Sequence, residues 1–264
     1  MLKLDNVSVT FNAGTPSEVK ALRGVSLAVS QREFVTIIGA NGAGKSTLFN
    51  VIAGTTHPER GRLWLREQNI TDWPEHRRSN HIGRVFQNPA LGTCPGLTVL
   101  ENLALAARRG QRRGLRPAVR REDRDRFYEL LRPMGMGLED RLDADVALLS
   151  GGQRQAVTLV MATFTEPELL LLDEHTAALD PNAAAQVIDL TVQVAEQHHL
   201  SVIMITHSMH QACQVGDRVL MMNRGNVLFE VGGAERQHLT VDELVGRFRA
   251  LRTEDVLTDR TMLE

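Results

Sequence analysis

The stretch that most constrains the fold of this chain is GANGAGKST, residues 39–47. An apolar run, FVTIIG, precedes it, and KSTLFNVIAG follows it with apolar residues at roughly helical spacing. A buried strand that runs through a glycine-rich turn into a helix is the setting of a phosphate-binding loop, or P-loop. The alternative, a chance glycine turn, would not require the flanking strand and helix. The sequence therefore predicts a nucleotide site within an α/β domain.

The residue types in this loop each have a physical reason to be there. Gly39, Gly42 and Gly44 let the backbone curl so that its N–H groups point at phosphate oxygens. Lys45 would bring a positive charge to the β and γ phosphates, and the hydroxyl of Ser46 would bind Mg²⁺. The N-terminus of the following helix adds further positive potential.

Composition excludes several other classes of protein. The chain has 264 residues, which suits one large domain or one domain with an inserted lobe, and its net charge of −2 does not favour nucleic acid binding. Cys94 and Cys213 are far apart in sequence, so we expect neither a disulfide framework nor a cysteine metal site. This use of cysteine indicates a reducing compartment. The first residues do not resemble a signal peptide, and no apolar run is long enough to span a membrane.

Strand and helix patterns divide the chain into an α/β core and an inserted helical lobe. Residues 1–38 and 62–86 contain strand-like pieces, whereas residues 97–165 have helical patterns. Two fully apolar strands, ELLLLD and SVIMITH, follow with a helical stretch between them, as in a parallel sheet buried on both faces. A hairpin with its turn at residues 224–226 ends the core, and the last 25 residues look helical and polar.

Two adjacent acids follow the four leucines of LLLLDE. Asp173 ends the strand, where it can face a metal ion, and Glu174 is placed to act as general base toward a water molecule. Taken alone, such acids could equally be turn residues at the end of a strand. Next to a P-loop, the pair predicts a phosphoryl-transfer site.

The stretch LSGGQRQ, residues 149–155, is the most specific in the chain. Together with the P-loop, LLLLDE, TAALDP and a histidine after a late strand, it resembles the nucleotide-binding subunit of ATP-binding cassette (ABC) transporters over about residues 1–235. The resemblance implies an α/β fold: a P-loop NTPase core with a mainly parallel sheet, an N-terminal antiparallel β subdomain and an α-helical subdomain inserted at about 88–165. Residues 236–264 would form a short helical C-terminal tail.

The resemblance also implies roles for residues around the nucleotide. Phe11 matches the aromatic residue that stacks on adenine, although it could instead be a core residue of its strand. Gln87 matches the glutamine that touches Mg²⁺ or the attacking water; the alternative is a polar residue at a strand end. Mg²⁺ would be held by Ser46, Gln87 and Asp173. Contacts to ATP would come from the whole loop, at Gly39, Asn41, Gly42, Ala43, Gly44, Lys45, Ser46 and Thr47.

A second copy of the chain is implied to complete each site. The signature residues would close over the γ-phosphate bound to the other subunit, at Ser150, Gly151, Gly152 and Gln153. Asp180 matches the loop acid that crosses the dimer interface, and His207 matches the histidine that contacts the γ-phosphate and steadies the glutamate. The resemblance therefore implies a head-to-tail homodimer that closes on two MgATP.

Two features depart from this pattern or are not explained by it. His175 stands where most relatives carry proline; we expect it to shape the Glu174 turn or to contact the second subunit rather than to act as a second base. The segment 108–126 holds nine arginines against three acids and could lie near anionic head groups. We prefer the alternative of a solvated helical surface with acid–base pairing.

A cassette without a membrane span needs a membrane partner to do transport work. The segment NPALGTCPGLTVLENLALA occupies the place where the family receives a short helix of the permease. The resemblance favours a prokaryotic importer of a small solute such as an amino acid, with separate permease subunits and, indirectly, an extracytoplasmic substrate-binding protein. We expect a peripheral position at the cytoplasmic face of the membrane. The alternatives are an exporter subunit and a soluble ATPase of the iron–sulfur cluster assembly type.

Overall fold

The computed structural model describes residues 1–111 and 117–250. Its strands are, in chain order, β1 Leu2–Phe11, β2 Val19–Val29, β3 Phe34–Gly39, β4 Arg60–Leu65, β5 Gln68–Asn69, β6 Ile82–Val85, β7 Leu169–Asp173, β8 Ser201–Ile205, β9 Arg218–Asn223 and β10 Asn226–Gly232. Its helices are α1 Lys45–Ala53, α2 Glu75–Arg78, α3 Val99–Ala107, α4 Arg121–Leu131, α5 Gly151–Thr163, α6 Pro181–Gln197, α7 Met209–Gln214 and α8 Gly233–Gln237, and residues 241–250 are also helical.

Two sheets divide the strands. An antiparallel sheet in the order β2-β1-β4-β5 confirms the N-terminal β subdomain. The second sheet, in the order β10-β9-β3-β8-β7-β6, is parallel except for β10, which pairs with β9 as the predicted hairpin. In a parallel sheet the carboxyl ends of the strands meet at one edge. The loops after β3, β6, β7 and β8 therefore share that edge.

The run of leucines in β7 is explained by burial on both faces of this sheet. Leu169 and Leu171 face the cluster that includes helix α1 and the antiparallel sheet. Leu170 and Leu172 face a second cluster, built with helices α3, α5 and α6. All four side chains are buried, because alternate residues of a strand point to opposite faces.

Among the described residues between β6 and β7, helices α3, α4 and α5 occur together with short 3₁₀ turns, which confirms the inserted helical lobe. Three described arginines of the segment 108–126 support its interpretation as a solvated surface with acid–base pairing. Arg108 pairs with Asp123, Arg120 with Glu122 and Arg124 with Asp143. Residues 112–116 of this segment lie outside the described residues.

The start of the predicted tail is attached to the core. Leu239 and Leu244 are buried in a third cluster with residues of β3 and β9. Arg236 donates to the carbonyl oxygens of Ala212, Cys213 and Val215 at the end of α7. Residues 251–264 of the tail lie outside the described residues, and the proposed limits 1–235 and 236–264 remain predictions. Within the described ranges, no helix has the length and apolar character needed to cross a bilayer.

Candidate active site

The P-loop follows β3 and lies against strands of both sheets. A Cβ atom at Gly39 would lie 2.3 Å from the carbonyl oxygen of Met222, and one at Gly44 would lie 2.5 Å from that of Ala21. Gly44 also has a φ of 99°, in the left-handed region that favours glycine. These two positions therefore require glycine so that the loop can lie against its neighbours.

Lys45 is buried at the first position of α1. Its Nζ donates to the carbonyl oxygens of Gly39 at 2.8 Å and Ala40 at 3.1 Å, within the loop itself. Burial lowers the pKa of this amine, while the carboxylates of Glu174 and Asp173 act in the opposite direction. The lysine charge thus lies close to both acids, at the point where a phosphate would enter the loop.

Asp173, at the end of β7, offers an oxygen ligand that suits Mg²⁺. Ser46 is exposed and follows Lys45 at the start of α1, so its hydroxyl is a candidate second ligand. Mg²⁺ sites use few protein ligands because substrate phosphates and waters supply the rest. The donor set therefore fits Mg²⁺ bound with a nucleotide.

Arg84 is a site residue that sequence reasoning missed. Its guanidinium lies 3.3 Å from an oxygen of Asp173, and both side chains are 15% exposed. The only signal in the sequence is an arginine within the otherwise apolar strand β6, which pairs directly with β7.

Glu174 and His207 form a direct contact. The His207 Nε2 and Glu174 Oε1 atoms are 2.5 Å apart, with the glutamate side chain 12% exposed and the histidine 42% exposed. Glu174 has a φ of 46°, an uncommon conformation for a residue other than glycine, and its N–H donates to the carbonyl oxygen of Ile205. The structure thus brings together two residues that are separated by the whole of α6 and β8.

His175 points away from this contact and is buried, with 2% of its surface exposed. Its Nε2 lies 3.2 Å from the hydroxyl of Thr191 on α6, and that hydroxyl donates to the Val187 carbonyl oxygen. Burial lowers the pKa of His175 to about 4, so the imidazole is neutral at pH 7. The interpretation of His175 as a contact across the dimer does not fit, because its own subunit already covers it.

Gln87 begins the loop after β6 and is exposed. None of the described residues forms a hydrogen bond with its side chain, so its role toward Mg²⁺ or water stays a prediction. Its backbone is held instead: Nε2 of the buried Gln155 on α5 donates to the carbonyl oxygens of Phe86 at 3.1 Å and Gln87 at 3.3 Å. Gln155, the last letter of LSGGQRQ, was not among the predicted site residues.

The signature residues form the N-terminus of α5. The Ser150 hydroxyl accepts from the N–H of Gln153, and the Gln153 side chain accepts from the N–H of Ser150, which makes a capping box. Gly151 is exposed, and a Cβ there would lie 2.8 Å from Leu179. The exposed helix end can receive an anion, since its N–H groups point outward.

Two further predicted residues are exposed where they could meet a nucleotide or a partner. Phe11, 42% exposed, lies opposite Val19, 55% exposed, at the end of the β1–β2 pair. Asp180 is exposed and caps α6 by accepting from the N–H groups of Asn182 and Ala183. Neither position tests the predicted contact directly.

A groove of about 260 Å³ lies on the helical lobe next to the Gln87 loop. Leu91 and Leu105 line it and are 70% and 44% exposed. The buried Asn102 shapes one wall, because its amide bonds the backbone of Cys94, Leu97 and Thr98. The groove therefore presents exposed leucine side chains beside a fixed wall, and Thr93 and Arg109 also belong to its lining.

Comparison with known proteins agrees with this geometry. The sequence profile of the ABC transporter family matches residues 22–177, more than half of the chain. A tyrosine transport ATP-binding protein of Clostridioides difficile (strain R20291) is 40% identical over 250 residues, which covers 94% of this chain and 98% of the relative.

Two solved structures resemble the whole molecule. The dimeric post-hydrolysis state of the ATP-binding cassette MJ0796, bound to ADP and Pi, has a TM-score of 0.75 at 30% identity and covers 88% of this chain and 98% of that one. The cbiO1 protein of Clostridium perfringens, described as part of the ABC transporter complex cbiONQ, has a TM-score of 0.75 at 28% identity and covers 97% and 96%.

Proposed function

The chain belongs to the ABC transporter family, and we propose that it is the ATP-hydrolysing, energy-coupling subunit of an importer for an amino acid. The observation that carries the proposal is the contact between Glu174 and His207, beside a P-loop, in a chain that is similar over its length to a tyrosine transport subunit. Tyrosine or a related amino acid is the substrate that this similarity favours.

Hydrolysis requires a base, a positive environment for the γ-phosphate and a positioned water. In the proposed mechanism Glu174 takes a proton from water as the water oxygen bonds to the γ-phosphorus. The bond from phosphorus to the β–γ bridging oxygen breaks, and ADP leaves with that electron pair. His207 holds the Glu174 carboxylate through its Nε2–H, and as an imidazolium it can also donate from Nδ1 to a phosphate oxygen. Lys45 supplies positive charge. Mg²⁺, when held by Ser46 and Asp173, supplies charge neutralisation of the phosphates.

The proposal requires two copies of the chain. The signature end of α5, at Ser150 and Gly151, is exposed and has its own helix cap, so it is available to a phosphate that another copy binds. Asp180, exposed on the loop between Glu174 and α6, would lie at the same interface. Two chains arranged head to tail would then enclose two MgATP, and hydrolysis would let the pair open.

The coupling of this dimer to transport would occur at the groove lined by Leu91 and Leu105. An apolar surface beside the Gln87 loop suits a short helix from a permease, because burial of the two leucines would favour docking. The subunit would then be a peripheral protein at the cytoplasmic face of the membrane. Substrate would reach the permease from an extracytoplasmic binding protein.

Co-purification tests the proposal. The chain, tagged at its C-terminus and isolated in mild detergent from its native membranes, should bring with it a multi-span permease and an extracytoplasmic binding protein. Isothermal titration of that binding protein should show binding of an aromatic amino acid. A permease without a binding protein would favour an exporter, and a soluble scaffold without any membrane protein would favour cluster assembly; either result would contradict import.

A further inference from the structure

Two turns form the proposed hydrolytic site, and a polar bridge joins them behind the reacting groups. The first turn, residues 174–176, follows β7 and carries Glu174. The second, residues 206–208, follows β8 and carries His207. Thr176 and Thr206 are 7% and 5% exposed, so their hydroxyl groups point into the protein. Buried hydroxyls need partners, and here both find the same one, Gln211 of α7.

The hydrogen bonds of this bridge are specific. The Thr206 hydroxyl donates to Gln211 Oε1 at 2.8 Å, and Gln211 Nε2 donates to the Thr176 hydroxyl at 3.1 Å. The N–H of Ser208 donates to the Thr206 hydroxyl at 3.0 Å. The Thr176 hydroxyl also lies 3.3 Å from Gln211 Oε1, so this one amide contacts the histidine turn through its oxygen and the glutamate turn through both its nitrogen and its oxygen.

Gln211 is itself fixed. It lies in the first turn of α7, and its N–H donates to the hydroxyl of the N-cap residue Ser208 at 3.2 Å. The helix therefore begins from the histidine turn and directs the Gln211 side chain back across the gap to the glutamate turn. Because the backbone of Gln211 is anchored next to His207, its amide sets the position of Thr176 relative to that histidine.

The conformation of Glu174 explains why such a bridge is needed. A φ of 46° is costly for glutamate and persists only when the surroundings impose it. The N–H of Glu174 donates to the carbonyl oxygen of Ile205, and the Glu174 carbonyl oxygen accepts from the N–H of Ala177. The bond from Gln211 to Thr176 adds a side-chain constraint two residues after Glu174 and joins it to the turn of His207.

We propose that Gln211 is a positioning residue for ATP hydrolysis, which ties the turn of Glu174 to the turn of His207 and so keeps the two side chains in contact. The inference rests on the proposed roles of Glu174 and His207. Gln211 does not touch the nucleotide in this account. It acts through Thr176 and Thr206, so its loss should slow hydrolysis and leave the binding of ATP unchanged.

The test compares steady-state ATPase rates of the full chain with Gln211→Met, Thr176→Val and the double variant. Methionine has about the length of glutamine, and valine has the shape of threonine. Each substitution removes the side-chain hydrogen bonds between residues 211 and 176. Each single variant should lower kcat roughly ten- to a hundredfold, because small displacements of reacting groups have effects of that size. The KM for MgATP should stay within about twofold, since no nucleotide contact is removed. The double variant should be no slower than the slower single variant, because both changes break the same bridge.

The matched control is Gln214→Met, which makes the same change on an exposed glutamine at the end of α7 and should leave kcat unchanged. Glu174→Gln serves as the reference for a lost base. A Gln211→Met variant with kcat within twofold of wild type, or losses that multiply in the double variant, would overturn the inference. The inference would also be overturned if kcat fell only in proportion to the fraction of the protein that no longer binds ATP. An active Glu174→Gln variant would instead refute the assignment of the base itself.

Discussion

At the scale of single residues, the site depends on three consecutive side chains that face three different surroundings. Asp173 faces Arg84 and the P-loop lysine, Glu174 faces His207, and His175 is buried against Thr191 on α6. This division answers why an imidazole can stand directly after the glutamate without taking part in hydrolysis. Its pKa of about 4 and its buried position keep it neutral and away from solvent.

Replacement of His175 by proline should therefore leave ATPase activity within about threefold of wild type, because the imidazole touches no reacting group. The free energy of unfolding should fall by roughly 1–3 kcal/mol from the lost hydrogen bond and the lost volume. Urea unfolding and steady-state hydrolysis measure the two effects. Thr191→Val, which removes only the partner hydroxyl, is the control. A loss of activity as large as that of Glu174→Gln would contradict this account.

The sequence predicted the residues that are proposed to react at this site but not those that are proposed to hold them. Asp173, Glu174 and His207 could be recognised because they follow buried strands in a motif with fixed spacing. Arg84 and Gln211 could not, since Asp173 and Thr176, which they contact, are distant from them in sequence, and a single arginine or glutamine on a strand or helix has no distinctive pattern. Their roles depend on sheet order and on side-chain direction, which periodicity does not give.

At the scale of elements, helix α1 is fixed at both ends. Its N-terminus forms the P-loop, and its last turn lies against the buried side chain of Arg78. The Arg78 guanidinium donates to the carbonyl oxygens of Val51 and Ile52, and to those of Thr71 and Trp73. Burial lowers the pKa of this arginine to about 10, so it remains charged at pH 7. The carbonyl groups of the last turn of a helix have no hydrogen-bond donors within the helix, and Arg78 provides the donors here.

Arg78→Met should thus lower the free energy of unfolding by roughly 2–4 kcal/mol, because two buried and two partly buried hydrogen bonds to carbonyl groups are lost. Chemical denaturation followed by circular dichroism would measure this. The neighbouring Arg77 is exposed and lies over the Trp73 ring at 3.7 Å, so Arg77→Met should cost under about 1 kcal/mol. Equal effects of the two substitutions would show that Arg78 does not have this role.

The elements themselves were largely predictable. The alternation of β1 and β2, the apolar runs of β7 and β8 and the helical spacing of α1 each reflect a pattern of burial that the sequence records directly. The attachment of the tail was less evident, because Leu239 and Leu244 are buried within a stretch that is polar overall. Two apolar positions are too few to reveal a packed helix by periodicity.

At the scale of the whole molecule, the proposed nucleotide chemistry and the proposed membrane coupling lie on different surfaces. The carboxyl edge of the parallel sheet holds the P-loop, Asp173 and the Glu174–His207 pair. The groove of Leu91 and Leu105 lies on the helical lobe, next to the Gln87 loop whose backbone Gln155 holds. The two functions should therefore be separable by mutation.

Leu105→Asp should disrupt the complex with the permease, because a carboxylate in the groove must be desolvated for a helix to dock. Recovery of the permease with the tagged chain should fall at least about tenfold, equivalent to roughly 1.4 kcal/mol. ATP binding by the isolated chain should stay unchanged. Tyr128→Asp, on the exposed surface of α4 and outside the groove, is the control. Undiminished recovery of the permease with Leu105→Asp would rule out the groove as the docking site.

The central claim, that Glu174 is the base of an ATP-closed dimer, is tested most directly by light scattering of Glu174→Gln with and without MgATP. The variant should hydrolyse ATP about 10²- to 10⁴-fold more slowly than wild type, as expected for loss of a general base. It should form a dimer with MgATP and remain a monomer without it, since binding proceeds but hydrolysis cannot reopen the pair. A variant that stays monomeric at saturating MgATP, or that hydrolyses ATP at the wild-type rate, would contradict the claim.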